Sequence, residues 1–228
     1  MTLPKQFLES LEGISGFERD AFLQAHEAGN AATSVRINPA KYTAGEIAAG
    51  LLSPNHAFNV ESQVPWSQYG YYLSGRPSFT FDPLFHAGRY YVQEASSMFL
   101  EQALMQHVEP AHPLRMLDLS AAPGGKSTHM LSLASKGLLV SNEVIRNRAA
   151  ILAENITRWG LPNIVVTSND PSAFGRLEHF FDVLVVDAPC SGSGLFRKDP
   201  GAISEWSPAH VTLCSRRQQR ILADALPA

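Results

Sequence analysis

The stretch Leu114–Ser127, LRMLDLSAAPGGKS, constrains the chain more than any other. Leu114, Met116, Leu117 and Leu119 form a short apolar run suited to a strand buried on both faces. Asp118 sits at its carboxyl end, and the chain then turns through Ala121, Ala122, Pro123, Gly124 and Gly125. Adjacent glycines permit a backbone that a side chain would block, and let a ligand approach the main chain. Lys126–Leu131 resumes with helix-compatible residues. A strand, a tight small-residue turn and a helix start together make the ligand cradle of an open α/β sheet. A double glycine alone is equally compatible with a packed turn that holds nothing. The acids further along weigh against that.

From Leu114 onward strands and helices alternate. A second strand, Gly137–Glu143, ends in an acid, and a helix over Arg146–Trp159 is stopped by Gly160 and Pro162. A third strand, Asn163–Ser168, has Asp170 just past its end, and a fourth, Phe181–Asp187, again ends in an acid. The loop APCSGSG, a basic segment and a final helix from Pro208 follow. This alternation implies a parallel sheet with right-handed crossovers. Parallel strands deliver Asp118, Glu143, Asp170 and Asp187 to one edge, hence to one crevice. Like charges repel and desolvation is costly, so a cluster of acids there speaks for a ligand rather than for stability.

Upstream, residues 3–28 read as two short amphipathic helices, followed by a strand over Thr33–Asn38 that Pro39 stops. Thr43 is placed to cap a helix through Leu52, with Glu46 as capping-box partner. Ser53–Pro83 breaks into short aromatic pieces, and Gln93–His107 is a helix with Ala95, Met98, Phe99 and Ala103 as its buried stripe. The expected division is a small α+β domain over 1–85 and an α/β domain over 86–228.

A net charge of −3 excludes a uniformly basic nucleic-acid binder, so a polyanion has to be met by local patches. Two cysteines, Cys190 and Cys214, give neither a disulfide framework nor zinc-ligand spacing, and no metal is expected. With no apolar signal core and no run long enough to span a bilayer, the chain reads as cytoplasmic, with no membrane partner. Its oligomeric state is not legible.

Dinucleotide folds want GxGxxG after the first strand, and this chain offers AAPGGK. A P-loop is closer, since Gly125-Lys126-Ser127 matches the end of GxxxxGK[ST], but the first required glycine is Ser120. Glu143 is placed to accept both ribose hydroxyls of an adenosine lying across the strand ends. Carboxylates suit a sulfonium, and Lys126 or Arg148 can meet an amino-acid carboxylate. The ligand implied is S-adenosylmethionine.

LDLSAAPGGKST, SNEV, TSND and VVDAPCSGSGLFRKDP resemble the NOL1/NOP2/Sun family of RNA cytosine-C5 methyltransferases, as do YYVQEASS and SVRIN upstream. The resemblance spans about residue 33 to the end. It implies a Rossmann-like S-adenosylmethionine-dependent methyltransferase domain, with an incomplete sheet, preceded by a small α+β RNA-recognition-like domain. It further implies that Ala121, Ala122, Pro123, Gly124, Gly125, Lys126, Ser127, Glu143, Asp170 and Asp187 hold the methyl donor.

Cytosine C5 is a poor nucleophile until a thiolate adds to C6. The family resembled uses two cysteines, a nucleophile in a Thr-Cys segment on the next strand and one after Asp-Ala-Pro that assists release. Cys190 matches the second, and Asp187 would hold the cytosine edge near N3. Cys214 lies in LCSRRQQRIL, on an expected helix, and is no substitute for the nucleophile. The expectation is therefore a fragment that binds the donor and turns over little, with the fourth strand at an open edge. Use of Cys190 itself as nucleophile is the lesser reading. Arg197 and Lys198 are the favoured RNA-backbone contacts, with rRNA as the expected partner. Arg36, Lys41, Arg76, Arg89, Arg216, Arg217 and Arg220 are further candidates, and Trp206, Tyr69, Tyr71 and Tyr72 are either base-stacking or core residues. The alternatives are a non-catalytic RNA- and S-adenosylmethionine-binding module and, more remotely, a P-loop nucleotidase.

Overall fold

The computed structural model describes residues 3–29, 32–43, 45–46, 58–109, 111–199 and 201–228. In chain order its elements are α1 (Lys5–Leu11), α2 (Arg19–Glu27), β1 (Thr33–Ile37), β2 (Val60–Gln63), β3 (Gly70–Leu73), α3 (Pro83–His86), β4 (Tyr90–Val92) and α4 (Leu100–His107). Then come β5 (Arg115–Asp118), α5 (Gly125–Leu133), β6 (Leu138–Asn142), α6 (Arg146–Trp159), β7 (Ile164–Thr167), β8 (Val183–Val185), α7 (Gly201–Glu205) and α8 (Pro208–Ala225). No helix among the described residues is long and apolar enough to cross a membrane.

By internal contacts the chain divides into two units, Met1–Ala31 with Ala188–Ala223, and Ala32–Asp187 with Asp224–Ala228. In the first unit Leu3, Phe7, Leu8 and Phe196 form the core, with Trp206 packed against it. Phe7 meets the Trp206 ring edge-on at 5.5 Å, so of its two readings Trp206 takes the core one.

The second unit carries two sheets. The antiparallel one runs β2-β3-β1-β4. Every residue of β1 is buried, which means both of its faces are covered. Val35 packs with Leu73, Phe79 and Tyr90. Its neighbour Arg36 points to the other face, because successive side chains alternate. The parallel sheet runs β7-β6-β5-β8, with Leu117 opposite both Val140 and Leu184. Every strand end expected from sequence falls within two residues of the one observed, and β8 stands at an edge. Buried Met116, Met130, Leu131 and Leu139 fill the space between the sheet and α5.

The expected helix at Gln93–His107 begins instead as a 3-10 segment, Ala95–Phe99, before α4. The tighter pitch shifts the phase of the buried stripe. Met98, Glu101 and Leu104 are buried, while Phe99 is 58% exposed and Ala103 lies at the surface. The capping box is present: Glu46 accepts from Thr43 N at 2.7 Å and Thr43 Oγ1 accepts from Glu46 N at 3.2 Å. The body of that expected helix, 47–52, lies outside the described residues.

Candidate functional site

β5 delivers Asp118 to the carboxyl edge of the parallel sheet, and Gly124 then takes the left-handed conformation, φ +108°, to open α5. A Cβ on Gly124 would stand 3.2 Å from Leu152 Cδ1 in a backbone region that L side chains avoid. The bend Ala121–Gly125 is therefore a glycine-dependent cradle, and it forms where the sequence places it. The Ala122–Pro123 peptide within it is cis.

A cavity of about 190 Å³ lies beneath this turn. Asp118, Ser120, Ala121, Ala122, Pro123, Gly125, Lys126 and Asp187 line one side of it. Tyr91, Val92, Gln93, Glu94 and Ser97 line the other. Sequence reasoning misses the second group as site residues: YYVQEASS matches a family segment there without acquiring a role. Nothing in periodicity links a strand in one sheet to a turn in another. A larger cavity of about 550 Å³, lined by Leu138, Val140, Val165, Phe174, Leu177 and Phe181 among others, carries no carboxylate and lies away from the turn.

Asp118 is fully buried. Its Oδ2 accepts from Ser127 Oγ at 2.7 Å, and Ser127 Oγ accepts in turn from Ser141 Oγ at 2.8 Å. Its Oδ1 is buried too, and the Ser120 backbone N–H acts on the same carboxyl. Burial pushes the Asp118 carboxyl up to about 6, against the Ser127 hydrogen bond and the charge of Lys126. Lys126 Nζ is ion-paired with Asp187 Oδ2. Two carboxylates beside one lysine suit a ligand with positive character and oppose a polyphosphate. The P-loop reading loses its support here.

Glu143 follows β6 and is 2% exposed. Its Oε1 accepts from Ile145 N at 3.0 Å. Its Oε2 lies 3.3 Å from Arg148 Nη1 but accepts no hydrogen bond. The Arg148 guanidinium compensates the buried charge at that distance. Arg148 also donates to Ala122 O at 2.8 Å, so it ties the cradle to the acid. Asp170 is exposed, and its side chain caps Pro171–Arg176 by accepting from Ser172 N at 3.1 Å. Of the four strand-end acids, Asp118 and Asp187 share the cavity; Glu143 and Asp170 stand at the ends of the two strands beyond it. Buried Asn142 stitches those ends together. It donates to Leu119 O at 3.2 Å and Asn169 O at 3.0 Å, and accepts from Thr167 Oγ1 at 2.9 Å.

Cys190 is exposed in the loop after β8, and Cys214 is buried within α8. Arg197 and Lys198 are both exposed. Four of the other basic candidates are otherwise engaged. Arg36 is fully buried, Lys41 donates to Ala87 O and Arg158 O at 2.6 and 2.7 Å, Arg76 lies over Phe79, and Arg89 lies over Tyr42 and pairs with Glu46. Charges consumed by packing and helix-end carbonyls are not available to a phosphate. Arg216, Arg217 and Arg220 remain exposed on α8.

Residues 105–228 match the family described as 16S rRNA methyltransferase RsmB/F, and residues 3–95 match the N-terminal domain of 16S rRNA methyltransferase RsmF. The chain is 36% identical, over 99% of its length, to Ribosomal RNA small subunit methyltransferase F of Pectobacterium carotovorum. It spans 47% of that relative, so about half the length of the curated proteins it matches. Among solved structures, a methyltransferase homolog from Pyrococcus horikoshii superimposes with a TM-score of 0.69 and 28% identity, over 98% of this chain and 73% of that one. The fold is also that of NSun6 from Pyrococcus horikoshii, with a TM-score of 0.76 at 17% identity, covering 98% of this chain and 79% of that one. With a doubly matched sequence and a parallel sheet of the S-adenosylmethionine-dependent methyltransferase type, the chain belongs to the RsmB/F family of 16S rRNA methyltransferases.

Proposed function

We propose that the chain carries the donor-binding part of an S-adenosylmethionine-dependent methyltransferase acting at C5 of cytosine in ribosomal RNA, in the cytoplasm. The observation that carries this reading is the burial of two strand-end carboxylates, Asp118 and Glu143, on neighbouring strands beside a turn whose left-handed Gly124 admits no side chain. They match what a cationic nucleoside needs: a ribose acceptor on β6 and negative charge beside the sulfonium.

When bound, S-adenosylmethionine supplies an electrophilic methyl group. Ala121–Ser127 and Glu143 would hold it, Lys126 or Arg148 would meet its carboxylate, and Asp170 stands at the adjoining strand end. Asp187 would orient the cytosine edge near N3. Cys190, exposed after the Asp-Ala-Pro segment, is the thiol assigned to assist release. The burial of Cys214 in α8 supports leaving it out as nucleophile. With Cys190 as the one exposed thiol, the 228 residues bind the donor and turn over little. Arg197 and Lys198 would contact the RNA backbone of an unpaired or flipped cytosine.

Calorimetry tests the site: S-adenosylhomocysteine should bind and magnesium-ATP should not. Tritium transfer from labelled donor to rRNA cytosine by this chain would overturn the statement about turnover. Binding of RNA and donor that persists when an added Thr-Cys-bearing second half restores no transfer would favour the non-catalytic module.

A further inference from the structure

Arg36 projects from β1 into the interior beneath α5 and is 0% exposed. Its Nε donates to Gln93 Oε1 at 2.8 Å. Nη1 donates to Ser132 Oγ at 3.2 Å and Thr128 O at 3.4 Å. Nη2 donates to Thr128 Oγ1 at 2.6 Å and Gly125 O at 3.2 Å. The guanidinium also stacks on Trp159, 4.6 Å from the ring centroid. Every hydrogen-bond acceptor is neutral. Burial lowers its pKa to about 9, which leaves it charged at neutral pH.

For stability alone this is a poor placement. A buried cation whose hydrogen bonds all go to neutral acceptors, with the Glu101 carboxylate acting on it only from beyond contact, costs more than a hydrocarbon of the same size. It also lies against the first turn of a helix, the end with positive partial charge. What the planar fork does achieve is geometric. It grips Gly125 and Thr128, the residues that follow the left-handed Gly124. Other side chains hold the same turn from elsewhere. Tyr91 Oη and Asn155 Nδ2 donate to Pro123 O at 3.2 and 2.7 Å, Arg148 donates to Ala122 O, and Thr128 Oγ1 donates to Gly124 O at 2.8 Å. The carbonyls of residues 122–125 are thus all engaged by the protein. The first-turn amides, which a helix cannot satisfy internally, remain as the donors the turn can offer.

We propose that Arg36 is a positioning residue for the methyl donor: from the antiparallel sheet it fixes the Gly124–Gly125 turn in its binding shape, which makes the N-terminal segment part of the donor site. This rests on the reading that the turn binds S-adenosylmethionine. The test uses the full chain, with Arg36→Met, Arg36→Lys and, as a stability control, Leu104→Ala in the core. Near-UV circular dichroism establishes folding, calorimetry reads S-adenosylhomocysteine affinity, and hydrogen exchange reads the turn amides. Arg36→Met should weaken binding at least about tenfold and Arg36→Lys should recover part of that. Exchange at Gly125 and Lys126 should quicken while β6 stays protected. Leu104→Ala should lower Tm yet keep affinity within about twofold. If Arg36→Met does not fold, Ser132→Ala removes an Arg36 hydrogen bond while leaving the other ties of the turn in place, and should weaken binding severalfold. Variants that bind like wild type, or lose affinity only in proportion to Tm as Leu104→Ala does, overturn the proposal alone. A wild-type chain that binds no S-adenosylhomocysteine overturns the donor site and the proposal with it.

Discussion

Lys126 Nζ, in the first turn of α5, is ion-paired with Asp187 Oδ2, two residues past the end of β8. The pair ties the start of α5 to the segment that follows β8, and both residues line the small cavity. Its side chains are 28% and 59% exposed, so solvent screens most of its contribution to stability. Lys126→Met should therefore change unfolding free energy by less than about 1 kcal/mol. Affinity for S-adenosylhomocysteine should fall well beyond that. Chemical denaturation and calorimetry on the same protein separate the two; equal small changes in both would remove Lys126 from the site.

Ser127→Ala should be far more damaging to the fold. It takes away the hydroxyl that donates to Asp118 Oδ2 and leaves Ser141 Oγ without its acceptor, all in the interior. A buried acceptor stripped of its donor costs about 1–3 kcal/mol. Urea unfolding should show a loss in that range at pH 7. The loss should be smaller at pH 5, where the carboxyl, already pushed up to about 6, becomes protonated.

Glu143→Gln keeps the shape of the side chain and removes its charge. If Oε2 receives the ribose hydroxyls, affinity for S-adenosylhomocysteine should fall about tenfold to a hundredfold. The 2′-deoxy analogue should lose little further affinity on the variant. Additive losses in this double cycle would show that Glu143 does not touch the ribose.

His129 gives the fold an acid-sensitive point. Burial pulls its pKa down to about 4, so it stays neutral at pH 7 and donates Nε2–H to Glu101, 3.0 Å away. Glu101 is held below its usual range: burial raises it, but hydrogen bonds from His129, Gln68 N and Ser67 outweigh that. A base whose folded pKa is depressed binds fewer protons folded than unfolded between pH 6.5 and about 4. Its contribution is thus present above 6.5 and lost as pH falls toward 4. At pH 5 this group alone removes roughly 2 kcal/mol relative to pH 7. Asp118 acts in the opposite sense, since its raised pKa favours the fold as pH drops below about 6. His129→Gln should flatten the acid limb of the stability profile; an unchanged limb would falsify this assignment.

Arg197→Ala and Lys198→Ala test the RNA face. Each should weaken binding to rRNA fragments and reduce the slope of log affinity against log salt by about 0.7 for each phosphate no longer neutralised. Donor affinity should not move. A fall in donor affinity instead would place these residues in the fold rather than at the RNA.

Much of this was legible from local pattern. Strand ends at Asp118 and within two residues of Glu143 and Asp187, the glycine stop at Gly160 and the left-handed Gly124 are short-range consequences of apolar runs and glycine geometry. Arg36 and Trp206 show where pattern stops. As letters they read as a candidate phosphate contact and a candidate stacking ring; in the structure one is a fully buried fork and the other packs on Phe7.

By itself, then, the sequence determined the acid-tipped strands and the turn that opens α5, because both are dictated within a few residues. Only the tertiary structure decided that β1 and β4 press Arg36, Tyr91 and Gln93 against that turn, and that Asp118 is buried while Asp170 is not. Those outcomes depend on contacts between residues as much as about ninety positions apart, whose energies are set by desolvation and by which neutral acceptors come within reach.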